Sequence, residues 1–270
     1  MTPTLKQNLM AEFIGTMFLV TVAIGSTILP LTLPGWTISL TVFINAVAVA
    51  MVLFALIETF GSVSGAHFNP AVTLAILAAK EIKPKRAALY MIAQITGGFV
   101  GLLIVGLMFY SYDPNILVVS SNVKDSGQVL AEFVGTFLLI GVIFGCVRGG
   151  SKHTGLSVAF VVGGMLVTTS STMFANPAVT LNRMFTYAIC GVAPISGILF
   201  IMAEVVGALA AAAVFAIIFL VKLKEKCEPF ECPMLTGGPR PIIVDTERPS
   251  AQPAKCEPYD CPPKEKRQRS

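Results

Sequence analysis

Charge is what this chain of 270 residues has least of. Asp, Glu, Lys and Arg make up 13% of it, against about 25% in an ordinary soluble domain. The deficit deepens once it is located. Residues 1–221 carry nine basic and seven acidic side chains, while residues 222–270 hold ten of the 19 Lys and Arg and eight of the 15 Asp and Glu. So few charges cannot cover a soluble body of that size, and a soluble globule and a disordered chain are excluded for this part. Its length excludes a small disulfide scaffold. The net charge of +4 is too small to point to nucleic acid. Histidine is scarce as well, with two residues, and no second His, Cys or carboxylate is spaced to complete a metal site with His67. No nucleophile–base constellation or phosphate-cradling loop appears, so neither an enzyme nor a cofactor is expected. What is abundant is apolar: 54% of residues, with a mean hydropathy of +0.77. The expected class is an all-α protein crossing a lipid bilayer several times.

A bilayer crossing needs about 20 apolar residues. Six stretches qualify, at about 9–29, 37–58, 87–110, 128–147, 155–172 and 194–221. They are rich in Gly, Ala and Ser, which lets helices pack closely in lipid. The first is read as a retained span, not a cleaved leader, because Glu12 interrupts it and its sequence recurs. Basic loop residues set the orientation. Lys6, Lys80, Lys83, Lys85, Arg86, Arg148 and Lys152 fall on one side of a six-span chain, and Lys124 and Arg183 on the other. That places both termini in the cytoplasm, in a plasma or inner membrane.

The chain is written twice. Ala11-Glu12-Phe13-Ile14-Gly15-Thr16 returns as Ala131-Glu132-Phe133-Val134-Gly135-Thr136. Ala93-Gln94 with Gly97 returns as Ala203-Glu204 with Gly207. Between them, Asn69-Pro70-Ala71-Val72-Thr73-Leu74 is repeated as Asn176-Pro177-Ala178-Val179-Thr180-Leu181. Each copy, at about 8–110 and 128–221, holds three spans. An odd number inverts the second copy, and inverted repeats put the functional site near the midplane where the halves meet. The Asn-Pro-Ala boxes follow stretches of small residues, Gly61 to Gly65 and Ser170 to Thr172. Asn is a favoured N-cap and Pro suits the first helical position. Each box therefore opens a half-helix of roughly ten residues, dipping in from opposite faces, with its N-terminus at the midplane. Non-helical backbone at that depth must be buried in protein or line a cavity.

Paired Asn-Pro-Ala boxes on inverted three-span repeats, with Ser64-Gly65-Ala66-His67-Phe68 ahead of the first, resemble the major intrinsic protein family, the aquaporins and aquaglyceroporins. The resemblance covers about residues 8–221. It implies a homotetramer with one pore per subunit, carrying water or small neutral solutes passively through the bilayer. Two half-helix N-termini aimed at one point repel cations and protons. Asn69 and Asn176 would each offer an amide N–H to the lumen. Glu12 and Glu132, buried in spans, are read as acceptors for the re-entrant loop N–H groups, with a proton relay as the other reading. Gln94 and Glu204 share that account by the repeat. His67 is expected to offer its backbone carbonyl to the inner pore.

The family narrows at four positions, which spacing from the boxes places at Val49, Gly164, Met173 and Val179. Most members have Arg at the last. A water-selective member would combine an aromatic, a His and that Arg; a glycerol facilitator keeps the Arg beside two aromatics. Here the ring is apolar and uncharged, with an opening at Gly164. That favours neutral solutes larger than water: polyols such as glycerol, or undissociated metalloid hydroxides such as arsenous acid, with some water. A water-selective aquaporin and an ion-coupled secondary transporter are the alternatives. Arg183, one turn beyond Val179, either reaches the outer vestibule in place of the missing Arg or anchors the half-helix at the interface.

The tail from 222 onward holds nine of the 17 Pro. It repeats Cys227-Glu228-Pro229-Phe230-Glu231-Cys232-Pro233 as Cys256-Glu257-Pro258-Tyr259-Asp260-Cys261-Pro262. Proline at this density predicts an extended, disordered segment. The paired thiols suit a soft ion such as As(III) or Zn(II). A protein-binding tail and an inert tail stay open.

Overall fold

The structure, a computed structural model, describes residues 3–226. It is built of eight helices: α1 (Leu5–Ile28), α2 (Ile38–Ser64), α3 (Pro70–Ala78), α4 (Pro84–Met108), α5 (Ser126–Gly149), α6 (Thr154–Thr168), α7 (Pro177–Arg183) and α8 (Pro194–Lys226). A 3₁₀ turn at Leu29–Thr32 prolongs α1, and no strand occurs among the described residues. Five helices are long and apolar enough to cross a membrane: α1 with its 3₁₀ turn, α2, α4, α5 and α8.

Both repeats start with the same device. Thr4 caps α1 by accepting from the Gln7 N–H, while Gln7 Oε1 accepts from the Thr4 N–H at 2.7 Å. Asp125 and Gln128 reproduce this reciprocal pair at α5, at 2.9 and 3.1 Å. Each pair satisfies N–H groups that the first helical turn leaves open.

Glycine then decides which helices touch. A Cβ on Gly207 of α8 would stand 2.6 Å from the Phe133 carbonyl oxygen of α5, and one on Gly97 of α4 would press still harder on the Phe13 carbonyl oxygen of α1. Those backbones meet only because these positions lack a side chain. Thus α1 packs on α4 and α5 on α8, with α2 crossing α1 and α6. The two half-helices, α3 and α7, fill the space between these layers.

The faces can be told apart by their contacts. Arg148, at the end of α5, pairs with Glu81 after α3 at 3.0 Å, so these basic loops share one face. Arg86 donates to the Tyr90 hydroxyl at 2.9 Å, and that hydroxyl donates to the Ser64 carbonyl at the same distance, tying α4 to the end of α2. On the opposite face, the loop 109–125 lies over the end of α7: Ser120 N–H donates to the Met184 carbonyl and Lys124 N–H to Ser196 Oγ, both at 2.9 Å.

Several expected boundaries move. α2 stays helical through the small-residue stretch and ends only at Gly65, in the left-handed region at φ 91°. Small residues alone do not break a helix whose other face is packed. The fifth span is shorter than expected: α6 has 15 residues and stops at Thr168, about 22 Å on an ideal helix. The half-helices have nine and seven residues. α8 continues to Lys226, five residues past the expected end of the last span at 221. Cys227, Cys232, Cys256 and Cys261 lie outside the described residues.

Candidate functional site

Between the helices lies a cavity of about 320 Å³. Its walls come from four helix stripes in which every fourth residue faces inward. α1 contributes Leu19 and Ala23, and α2 contributes Val49, Leu53 and Ile57. From the second repeat, α5 contributes Leu139, Ile143 and Val147, and α6 contributes Thr154, Val158, Val162 and Leu166. Spacing of four keeps side chains on one helix face. The re-entrant segments complete the wall with Asn69, Val72, Met173, Asn176, Val179 and Arg183, among others.

The two boxes meet at the middle as pseudo-symmetric caps. Asn69 Oδ1 accepts from the N–H groups of Ala71 and Val72 at 2.8 and 3.4 Å. Asn176 Oδ1 accepts from those of Ala178 and Val179 at 3.0 and 3.4 Å. Pro70 and Pro177 stand at the first helical positions, where a missing N–H costs nothing. The amide nitrogens cross between the halves. Asn69 Nδ2 donates to the Ala175 carbonyl at 2.7 Å, and Asn176 Nδ2 donates to the Phe68 carbonyl at 2.9 Å. Each amide has two N–H groups; one is used in this brace, which leaves one for the cavity that both residues line.

The brace requires unusual backbone. Phe68 and Ala175, directly before the two Asn residues, have φ of 48° and 45°, and Ala66, Thr172 and Met173 are also positive. Non-glycine residues there cost of order 1–3 kcal/mol each. The buried carboxylates offset that cost. Glu12 Oε1 accepts from Ser64 Oγ at 2.6 Å and His67 N–H at 3.0 Å; its Oε2 accepts from Phe68 N–H at 2.7 Å and Gln94 Nε2 at 2.8 Å. Glu132 accepts from the N–H groups of Phe174 and Ala175, the latter at 2.7 Å. Both carboxylates are fully buried and neither is on the cavity wall. That geometry suits the brace.

Gln94 and Glu204 extend the braces to the half-helices. Gln94 Nε2 donates to Thr73 Oγ1 at 3.0 Å, and Thr180 Oγ1 donates to Glu204 Oε1 at 2.5 Å. His67 also meets Thr73, its Nδ1 lying 3.0 Å from the hydroxyl, and His67 lines the cavity.

Two expectations change. Gly164 is not on the cavity wall. The inward stripe of α6 runs through Val162 and Leu166, and a residue two positions from each points the other way. A Cβ there would meet nothing within 4 Å. Counting back from Asn176 assumes a connection of fixed length, and the early end of α6 changes that length. Leu166, 2% exposed, stands on the wall instead. Its signal was the four-residue spacing Thr154, Val158, Val162, Leu166. Nor does Arg183 anchor α7 at an interface. It is 2% exposed, its Nη2 donates to the Ala23 carbonyl at 3.0 Å, and its guanidinium lies 4.2 Å from the centre of the Phe174 ring. Half-buried Lys124 feels it from the loop 109–125: burial first, and the Arg183 charge second, lower its pKa.

Comparison with known proteins agrees with this geometry. The family model described as Major intrinsic protein matches residues 1–173. "Aquaglyceroporin AqpS" of Rhizobium meliloti (strain 1021) is 34% identical over 210 residues, spanning 77% of this chain and 88% of AqpS. "Probable aquaporin AqpM" of Archaeoglobus fulgidus is 28% identical over 246 residues, 78% of this chain and 96% of AqpM. An X-ray structure of the aquaglyceroporin from Plasmodium falciparum superposes with a TM-score of 0.64 at 22% identity, covering 82% of this chain and all of that one. At that identity the likeness is one of fold. With a matching family model, a relative that spans most of the chain and two opposed half-helices around a central cavity, the chain belongs to the major intrinsic protein family and is a membrane channel for small solutes, not an enzyme.

Proposed function

We propose that this channel passes uncharged solutes larger than water, glycerol-like polyols and undissociated metalloid hydroxides such as arsenous acid, and lets some water through. The observation that carries this reading is the cavity itself. Its volume of about 320 Å³ equals that of about ten water molecules in the liquid. Its wall includes Val49, Val162, Leu166, Met173 and Val179, which are apolar and carry no aromatic ring. An apolar ring of this kind does not replace a water molecule's hydrogen bonds, so it has little means of favouring water over a carbon-bearing solute. The name of AqpS, an aquaglyceroporin, supports the same class.

The midplane supplies the barrier to ions. The N-termini of α3 and α7 bring about half a positive elementary charge each to the junction, and the free N–H groups of Asn69 and Asn176 orient what passes. Pro70, Ala71, Pro177 and Ala178 hold those termini in place. The protein acts as a homotetramer in the cell membrane, with both termini in the cytoplasm, as the basic loops around Lys80–Arg86 and Arg148–Lys152 favour. The four tail thiols bind a soft ion.

The test is stopped-flow flux into proteoliposomes holding the full chain, with no ion gradient, across water, glycerol, urea and arsenous acid. Glycerol and arsenous acid are expected to equilibrate without saturating at low millimolar concentration. Flux of water alone would turn the reading to a water-selective pore, and a requirement for Na⁺ or H⁺ would turn it to a coupled transporter.

A further inference from the structure

The apolar outer ring lacks a fixed charge only if it is judged by Val179. One turn farther along α7 stands Arg183, on the wall of the same cavity and 2% exposed. A cation so deeply buried in a membrane protein is costly and ordinarily has a carboxylate partner. Arg183 forms no ion pair among the described residues. It is held by the Ala23 carbonyl at 3.0 Å and by the face of the Phe174 ring at 4.2 Å. Its Nε and Nη1 have no hydrogen-bond partner among the described residues. Ala23 is itself on the cavity wall, and the same carbonyl accepts from Asn45 Nδ2 at 3.1 Å. Asn45 is one turn outward of Val49 on α2. The guanidinium therefore sits in a polar belt just outside the apolar ring.

We propose that Arg183 is a specificity-determining residue of the outer constriction: its buried charge excludes cations where Val179 offers none. This deepens the channel reading above and rests on it. A unit charge at about 4 Å still acts strongly at an effective dielectric of about 20, and water in a narrow apolar pore screens it poorly. The field is felt outside the pore too, since the Arg183 charge contributes to the lowered pKa of Lys124 in the outer loop. The backbone geometry also explains how Arg183 can serve from one turn away. Its long side chain folds back across α1 to Ala23, so the charge returns toward the ring that its Cα has left.

The experiment compares wild type, Arg183→Met and Arg183→Lys as full chains in proteoliposomes, measuring K⁺ conductance beside glycerol and water flux. Met keeps much of the side chain's length without the charge, and Lys keeps the charge without the planar fork. The expected result is K⁺ leak raised about tenfold or more in Arg183→Met, with Arg183→Lys still excluding K⁺. No K⁺ leak in Arg183→Met overturns the proposal, as does equal leak in both variants, which would mark a scaffold role. If Met does not fold, Arg183→Gln is read in its place; a chain that tolerates Lys but no neutral residue also assigns the charge to the scaffold and overturns it. Absence of flux in wild type would instead strike at the channel reading, so the two failures are distinct.

Discussion

The two halves of the molecule share a scaffold and differ in what it leaves open. In the first half, Glu12 accepts from four donors drawn from α2, the re-entrant loop and α4. In the second, Glu132 accepts from the backbone N–H groups of Phe174 and Ala175, with the Ser171 hydroxyl and the Glu204 carboxyl against it as well. Gln94 closes the first brace by donating to Glu12, whereas Glu204 at the matched position has no amide to donate. Gln94 Oε1 is the one buried polar side-chain atom of the first half with no hydrogen-bond partner among the described residues, whereas the open donors of Arg183 and the open Oδ1 of Asn182 belong to the second. Duplication preserved the caps and the helix crossings, where backbone groups must be satisfied at any cost. It did not preserve the charges, and the half with more spare polar groups is the one whose half-helix ends in a buried cation.

The sharpest way to break this comparison is to remove the carboxylates one at a time. Glu12→Ala takes the acceptor from four donors, of which Gln94 Nε2 keeps Thr73 Oγ1; leaving the other three unpaired costs about 1–3 kcal/mol each, so a loss of at least about 3 kcal/mol and of most folded protein is expected. Glu132→Ala should lose less. Thermal unfolding in detergent measures both, and equal losses would mean the halves are braced alike.

Next come the boxes. Asn69→Asp or Asn176→Asp replaces the cross-braced amide by a carboxylate facing a carbonyl, at the point where two helix N-termini repel cations. Neutral-solute flux should fall by about tenfold, ~1.4 kcal/mol in the barrier, or a cation leak should appear. Normal flux and no leak in both would remove the role given to these amides.

Val179→Arg adds a second guanidinium to the outer ring. Glycerol and arsenous-acid permeability should then drop about tenfold or more, and water much less, because water can pass in single file beside the new donor. A proportional fall in all three would place the constriction elsewhere. The smallest expected effect separates the two candidates on α6. Leu166→Phe should slow glycerol relative to water, while Gly164→Ala should change neither by more than about twofold, since its Cβ meets nothing.

The sequence carried the repeat, the two boxes and the buried glutamates as far as their roles, because each is a local identity repeated at a matched position. Glu12 and Glu132 were visible as charges within apolar runs, and charges there must find donors. The offsets between repeat members, 120, 107 and 110 residues, already showed that only loop lengths differ. Gly164 was misplaced for that same reason: its position was counted across a connection whose length the count itself assumed.

What the sequence by itself determined is therefore the set of crossings, their inversion and the chemistry at the midplane. Hydropathy, capping preference and residue identity need no partner element to be read. Only the tertiary structure decided which face of each helix lines the cavity, that Val162 and Leu166 flank Gly164 on the wall while Gly164 itself is off it, and that Arg183 reaches Ala23. Those outcomes depend on how far α6 extends and how each helix is rotated about its axis. Contacts such as Gly97 against the Phe13 backbone fix that rotation, and they bring together residues far apart in the chain.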